Sequence, residues 1–412
     1  MAASSFSQLE KYLTVERAFL LIVLIGLTKW ATYPFAMLGP NPAGELGGDF
    51  VAFWSAARET LAGNMSALYP ASGLLDAIAI HRPSALENVS GLTWQYPPHS
   101  TLIFSPFGLA PFPVAYAAWS ATGAIAYAAS LTLVGARRRA LLALMATSIV
   151  FTAVITGQNG LFTGALIIAA VMWADKRPIL AGLAAAALTI KPQIGLLLPL
   201  AYLAGRAWRP FITAAIASAV LWGGSVLIAG AGNWRAFLSS VTDVGASVES
   251  GIMPLYKMVT VFSALRLGHI PAEIALALSL GIGLVVAAAV AWVWSRTSDA
   301  SLRLMAISAG ALLIAPYAFY YELTIPMAGL FVLACRGHEH GWLAGEKLSV
   351  AALVLLSLFL PGPEIRSGLS LSFLCLAGTA GLIMRRLVVE LAGARVSDAA
   401  SDIVLHKEAR PA

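Results

Sequence analysis

Charge is scarce in this chain. Only 11% of its 412 residues are charged, against about 25% in a soluble domain. With 59% apolar residues and a mean hydropathy of +0.81, an ordinary water-soluble fold is excluded. Cysteine is nearly absent too. Cys335 and Cys375 both lie in apolar runs, so core packing is expected, not a disulfide framework or a thiolate metal cluster. The N-terminal "MAASSFSQLEKYLTVER" lacks a small-residue cleavage site after a short apolar core, and is read as a cytoplasmic tail, not a signal peptide. The net charge of +6 is not read as a nucleic-acid footprint. In a chain this apolar, surplus Lys and Arg mark cytoplasmic loops.

What the chain has instead is long apolar runs. A span needs about 20 apolar residues, fewer where protein shields it. Candidate helices are 17–38, 112–135, 140–156, 160–174, 178–190, 192–205, 210–231, 272–295, 303–318, 322–335, 347–361 and 367–384. The fold class expected is an all-α polytopic membrane protein with about 10–12 transmembrane helices. Several segments are short and meet at breaks: Gly157–Gly160, Lys191–Pro192, Pro316–Glu322 and Pro361–Gly368. Non-helical backbone survives at membrane depth only where protein or water satisfies it, so these breaks suggest a cavity.

With a cytoplasmic N-terminus and every segment crossing, 18 of the 26 basic residues fall inside, among them Arg137–Arg139, Arg336, Arg385 and Arg386. Both termini are then cytoplasmic. The division expected is a tail over 1–16, one transmembrane domain over 17–385 with outer loops at about 40–110 and 232–271, and a second tail over 386–412. In the first outer loop, Phe50, Phe53, Trp54, Ala57 and Leu61 recur at helical spacing, and a second short pattern covers 70–82. These predict helices lying in the membrane interface, with the aromatics at headgroup depth.

Polar residues in such a bundle need a reason, because an ionisable group at membrane depth is costly. The outer-face set is Asp49, Arg58, Gln95–His99, Gln158–Asn159, Lys191–Gln193, Tyr256–Lys257 and Tyr320–Glu322. Each has a plain reading. Asp49 can cap a helix with its carboxylate on backbone N–H groups. Arg58 can touch lipid headgroups, and "TGQNGLF" can be a tight interhelical turn. Lys191 can snorkel to the interface, and Glu322 can cap. The functional readings are Asp49 as a general base for a hydroxyl, with a pKa raised by desolvation, Lys191 as a point charge for a phosphate, and His99 as a donor to a phosphate at the start of a helix. Two patterns are decoys. "GGDF" at 47–50 has no soluble domain around it, and in "RGHEHG" the histidines are two apart, not the four of a helical zinc motif, so no metal is expected.

Five motifs in order carry a resemblance: "GGDFVAFWSAARETLAGNMSALYP", "WQYPPHSTLIFSPFGLAP", "TGQNGLFTGALI", "LAGLAAAALTIKPQIGLLLPL" and "APYAFYYELT". Together, over about 17–335, the chain resembles the bacterial polyprenol-phosphate-mannose-dependent mannosyltransferase-like family of GT-C-fold integral membrane glycosyltransferases. The resemblance implies an inverting transfer of a hexose, mannose first, from a polyprenyl-phosphate sugar to an acceptor hydroxyl on a glycolipid or glycan. It implies a site at the outer face of the bacterial inner membrane, with membrane lipids as surroundings. It places Asp49 as the base, Lys191 near the donor phosphate, and Tyr96 and His99 in the cavity wall. Gln158 and Asn159 join them as substrate-binding candidates. Arg58 and Lys257 are candidate further cations, and no cofactor or nucleic-acid partner is implied. The late motif departs from the family pattern: Ala315 stands where Ser is usual and no His follows, so Tyr321 or Glu322 is the expected substitute. The competing reading is a transporter or flippase using the same broken helices; a non-catalytic scaffold is the third.

Overall fold

The computed structural model describes residues 14–37, 46–89, 92–249, 255–360 and 370–408. Among them the protein is helical throughout, with one isolated antiparallel bridge between Met258 and Phe319. It is an all-α polytopic membrane protein.

The apolar runs become helices close to where the sequence puts them. In chain order they are α1 (Val15–Met37), α2 (Phe50–Leu61), α3 (Gly73–His81), α4 (Pro98–Phe104), α5 (Phe112–Leu133), α6 (Arg138–Met145), α7 (Ser148–Thr156), α8 (Gly160–Met172), α9 (Pro178–Ala187), α10 (Pro192–Gly195), α11 (Leu197–Ala204), α12 (Trp208–Ala229), α13 (Ala231–Glu249), α14 (Val261–Leu267), α15 (Ala272–Arg296), α16 (Ala300–Ile314), α17 (Thr324–His340), α18 (Glu346–Leu358) and α19 (Leu371–Glu408). By length and composition, three described helices can cross a membrane unaided: α12, α15 and α19 over Leu371–Gly393. The pair α6–α7, bent by 59°, passes only together. Several other expected spans are shorter apolar helices, such as α8 with 13 residues. At 1.5 Å per residue that is about 20 Å, against about 30 Å of hydrocarbon. Such a helix cannot bring both ends to the bilayer surface, so its polar end needs protein or water around it.

Three of the four expected breaks are present. Gly157 ends α7 in the left-handed region (φ +71°). Lys191, extended at φ −140°, separates a 3₁₀ turn over Leu188–Ile190 from α10. After α16, Ala315 and Phe319 are extended, with a bend at Pro316–Tyr317 between them, before a 3₁₀ turn at Tyr320–Leu323. The fourth, Pro361–Gly368, lies outside the described residues. The last helix runs without a break from Leu371 to Glu408, through the point where a tail was expected to begin.

One expectation fails between α1 and α5. Phe50, Phe53 and Trp54 do not face lipid headgroups; they are 0%, 3% and 6% exposed and packed inside the protein. Phe53 stacks on Trp119 at 5.0 Å between centroids, and Phe50 meets Phe112, Tyr116 and Trp119. The apolar stripe of α2 was read correctly, but it faces a second hydrophobic core, distinct from the core built on α8, α16 and α17. Burying these rings against the rest of the loop and α5 anchors α2 to the bundle. That fixes Asp49 at its N-terminus.

Candidate active site

Two backbone hydrogen bonds set the geometry. Gly47 N donates to Ile155 O (2.8 Å) and Asp49 N to Thr156 O (3.0 Å), so the "GGD" turn docks on the C-terminal end of α7. The approach is close. A Cβ on Gly157 would stand 2.5 Å from that of Phe50, and one on Gly160 would stand 2.2 Å from the Tyr321 carbonyl oxygen. Those two glycines let three distant segments meet backbone to backbone: the start of α2, the α7–α8 break and the late "YYE" turn.

Asp49 is the N-cap residue of α2, yet its side chain makes no capping hydrogen bond. Its carboxylate interacts instead with the side chains of Gln158 and Thr156. The structure thus departs from the plain cap reading. Burial pushes the Asp49 pKa above the usual carboxylate range. The bonds to Gln158 and Thr156 and the charges of Lys257 and Lys191 pull it back only in part. Among the described residues no cation lies within ion-pair distance of this carboxylate.

Beside it sits a closed polar network. Lys191, 6% exposed, donates to Asn159 Oδ1 (2.9 Å) and forms an ion pair with Glu322 Oε1. Thr163 Oγ1 donates to Glu322 Oε2 (2.5 Å), and Asn159 Nδ2 donates to the Tyr96 hydroxyl (3.0 Å). The ammonium also lies 4.9 Å from the Tyr321 ring centroid and 6.0 Å from that of Tyr96. Lys191 therefore does not snorkel to the interface, and Glu322 does not cap; each is the other's buried counter-ion. The 255–260 segment joins through Val259 N to Ala318 O (2.8 Å) and the Met258–Phe319 bridge. This holds exposed Lys257 close enough for its charge to act on Asp49.

The structure thus brings together Asp49, Tyr96, Gln158, Asn159, Lys191, Lys257, Tyr321 and Glu322. It does not bring Arg58 with them. Nine residues along α2 from Asp49, Arg58 donates to His81 Nδ1 (3.3 Å), which in turn meets Glu59 (2.7 Å). Nine residues of helix are about 13 Å, which carries the guanidinium out of the cluster. His99 also turns elsewhere: it is 2% exposed, bonded through Nε2 to Thr189 Oγ1 (3.1 Å) and stacked on Trp234. Burial pushes its pKa down to about 4, so it is a neutral imidazole at pH 7 and no cation for a phosphate. Thr156 and Thr163 were missed by the sequence reading. Thr163 stands four residues after Asn159, one helical turn on the same face, and that spacing was the available signal.

A family model matches residues 94–316, rather more than half of the chain, and its description is glycosyltransferase family 87. The chain belongs to that family. Family 87 is a GT-C-like family of membrane glycosyltransferases, which agrees with the all-helical bundle. The family 87 match covers Tyr96, Gln158, Asn159, Lys191 and Lys257, whereas Asp49, Tyr321 and Glu322 lie beyond its ends. No curated protein and no solved structure matches the chain.

Proposed function

We propose that this family 87 member is an inverting hexosyltransferase that moves a sugar, mannose first, from a polyprenyl-phosphate donor to an acceptor hydroxyl. The observation that carries this reading is the Asp49 carboxylate: it sits at a helix start without capping it, beside the Lys191 network and within reach of the Lys257 charge, with a raised pKa. A carboxylate of that kind suits a general base near neutral pH. In the step, the acceptor hydroxyl gives its proton to Asp49 as its oxygen attacks the anomeric carbon. The bond from that carbon to the phosphate oxygen breaks, and the polyprenyl phosphate leaves with the electron pair. A single displacement inverts the anomeric centre.

The leaving group departs ionised, so it needs positive charge, not a general acid. Lys257 is the better placed cation for direct contact, because it is exposed and unclaimed by any ion pair among the described residues. Lys191 is already neutralised by Glu322. Its contribution is to fix Asn159, Tyr96 and Tyr321 around the cavity and to add a fixed charge at one remove. Glu322, committed to Lys191 and Thr163, leaves Asp49 as a lone unpaired acid, a thin ligand set for a metal. We take the reaction to run without one.

The site belongs on the outer face of a bacterial inner membrane in this reading, with both termini cytoplasmic, as the distribution of basic residues supports. The test is transfer of radiolabelled mannose from a polyprenyl-phosphate donor to envelope lipids in reconstituted vesicles, comparing wild type with Asp49→Asn. Equal rates remove Asp49 as the base. No transfer from any polyprenyl-phosphate sugar removes the donor class.

A further inference from the structure

His99 carries a second recognition feature that transfer chemistry at Asp49 does not use. Its tautomer follows from its neighbour. Thr189 Oγ1 lies 2.6 Å from the Ala186 carbonyl oxygen, which can only accept, so the hydroxyl proton is spent there. The 3.1 Å contact to His99 is then a donation from Nε2–H into the Thr189 oxygen. Nδ1 is left as a bare lone pair, buried and without a hydrogen-bond partner among the described residues. A buried acceptor without a donor is destabilising, so a donor from a ligand would bind there favourably.

The surroundings specify that ligand. The imidazole stacks on Trp234 with centroids 5.9 Å apart and planes at 11°, and Trp222 stands at 6.3 Å. Thr189 and Trp222 also line an apolar groove of about 270 Å³ between α9–α11 and α12, walled by Leu188, Pro192, Leu196 and Phe211. Leu196 and Trp222 are 49% and 44% exposed on the protein's flank, in a region whose helix α12 is long and apolar enough to span the bilayer. A hydrocarbon chain fits such a groove, with its head toward Thr189 and Trp222, the two lining residues that contact His99. An unprotonated nitrogen with no cation in contact repels a phosphate and accepts from a hydroxyl. Aromatic faces suit the apolar face of a sugar ring.

We propose that this groove, with Thr189 and Trp222 in its wall and His99 and Trp234 packed against them, is the subsite for a glycolipid acceptor. A sugar hydroxyl donates to His99 Nδ1 and the lipid chain lies against α11 and α12. The ligand class rests on the glycosyltransferase reading above. The subsite adjoins the Lys191 network, because Thr189 is two residues from Lys191 and Ser100 Oγ donates to the Ile190 carbonyl (3.3 Å).

The test is photolabelling of the full chain in nanodiscs with a dodecyl mannoside carrying a diazirine in its chain, mapped by peptide mass spectrometry. Labelling is expected in residues 188–202 and 211–222. His99→Phe keeps the stacking ring but loses the acceptor, and is expected to raise the half-saturating probe concentration about fivefold to tenfold. Ala214→Phe fills the groove from the side and is expected to remove most of the labelling. It touches none of the polar network, so it decides the matter should His99→Phe fold poorly. Unlabelled farnesyl phosphate, a donor mimic, is expected not to compete. Labelling elsewhere, unchanged labelling in Ala214→Phe, unchanged half-saturation in a folded His99→Phe, or competition by farnesyl phosphate at equal concentration each overturns the acceptor subsite. Labelling needs no turnover, so it stands or falls separately from the transfer assay on Asp49.

Discussion

Two groups of paired charges, one buried and one reaching the surface, lie at opposite ends of the same helices. At one end of α8, α16 and α17 is the Lys191–Glu322 pair beside Asp49. At the other end Arg336 joins Asp299 (2.7 Å) and Glu390, Arg386 joins Glu346 (3.1 Å), and Arg303 reaches Asp175 (3.3 Å). Glu322 and Arg336 are 14 residues apart, about 21 Å of helix. In the arginine network every acid touches a guanidinium, and planar forks tie α19 to α16, α17 and α18. At the lysine end one acid, Asp49, is left outside the pairing. The two ends show that buried charge alone does not mark a reactive centre. What sets the lysine end apart, among the described residues, is an acid excluded from its neighbours' pairing.

The sharpest way to break this contrast is to neutralise the excluded acid. Asp49→Asn is expected to lower transfer by about 10²–10⁴-fold, the usual worth of a positioned base, measured as labelled sugar moved in vesicles. Stability moves the other way. A folded-state pKa raised above the unfolded value means the native protein holds a proton that the unfolded chain has released. Stability from the protonated form is present below the ordinary aspartate pKa and is lost as pH rises through the raised one. Asp49→Asn removes that loss, so at neutral pH the variant should melt no lower than wild type. In wild type, transfer should fall as pH drops through the same raised pKa, above the range of an ordinary carboxylate. A variant that is inactive because it is unfolded would end the comparison.

Next is the pair itself. Glu322→Leu leaves Lys191 buried without a counter-ion, and removing one partner of a buried pair costs about 3–5 kcal/mol. The double variant Lys191→Met with Glu322→Leu should recover most of that in a denaturation series, because both desolvation terms vanish. Transfer should stay low in the double variant, since Asn159, Tyr96 and Tyr321 lose the ammonium that holds them. Full transfer in the double variant would show the pair to be structural only, like the arginine network.

Much of this was legible in the sequence, for a physical reason. Apolar runs and Gly–Pro breaks are local signals, so the helices and three of the breaks fall where expected. So does the convergence of Asp49, Gln158, Asn159, Lys191 and Glu322 on one place. What the sequence hid is pairing across distance. Lys191 and Glu322 are 131 residues apart, and nothing local says that each neutralises the other. The aromatics of α2 were read by type as interface anchors, while their partners on α5 decide that they are core. Arg336 and Arg386 were read only as markers of the cytoplasmic side; their acids come from three other segments. His99 had the right neighbourhood but the wrong chemistry, because its tautomer is set by a hydroxyl 90 residues away.

The third test carries the contrast to the far end. Arg336→Met leaves Asp299 and Glu390 without their shared cation. Asp299 is 38% exposed, so water offsets part of the loss, and about 1–3 kcal/mol is expected. The transfer rate of the folded fraction should equal wild type, since the change lies about 21 Å from Glu322. A fall in that rate would mean that the two ends are coupled through α17.

Asp175→Asn should have the smallest effect, and it tests where the network meets water. Asp175 is 53% exposed, and both its contacts with Arg303 are 3.3 Å long. Arg303 is well held without it: Nε donates to the Thr297 carbonyl (2.7 Å), and the guanidinium lies 4.6 Å from the Trp294 ring centroid. An exposed pair of this kind is worth less than about 1 kcal/mol, and its loss should shift a denaturation midpoint only slightly. High salt should shrink the difference further, because screening acts on exposed charges first. A loss as large as that of Arg336→Met, insensitive to salt, would place Asp175 away from water. The boundary between the screened and unscreened parts of the network would then lie beyond Arg303.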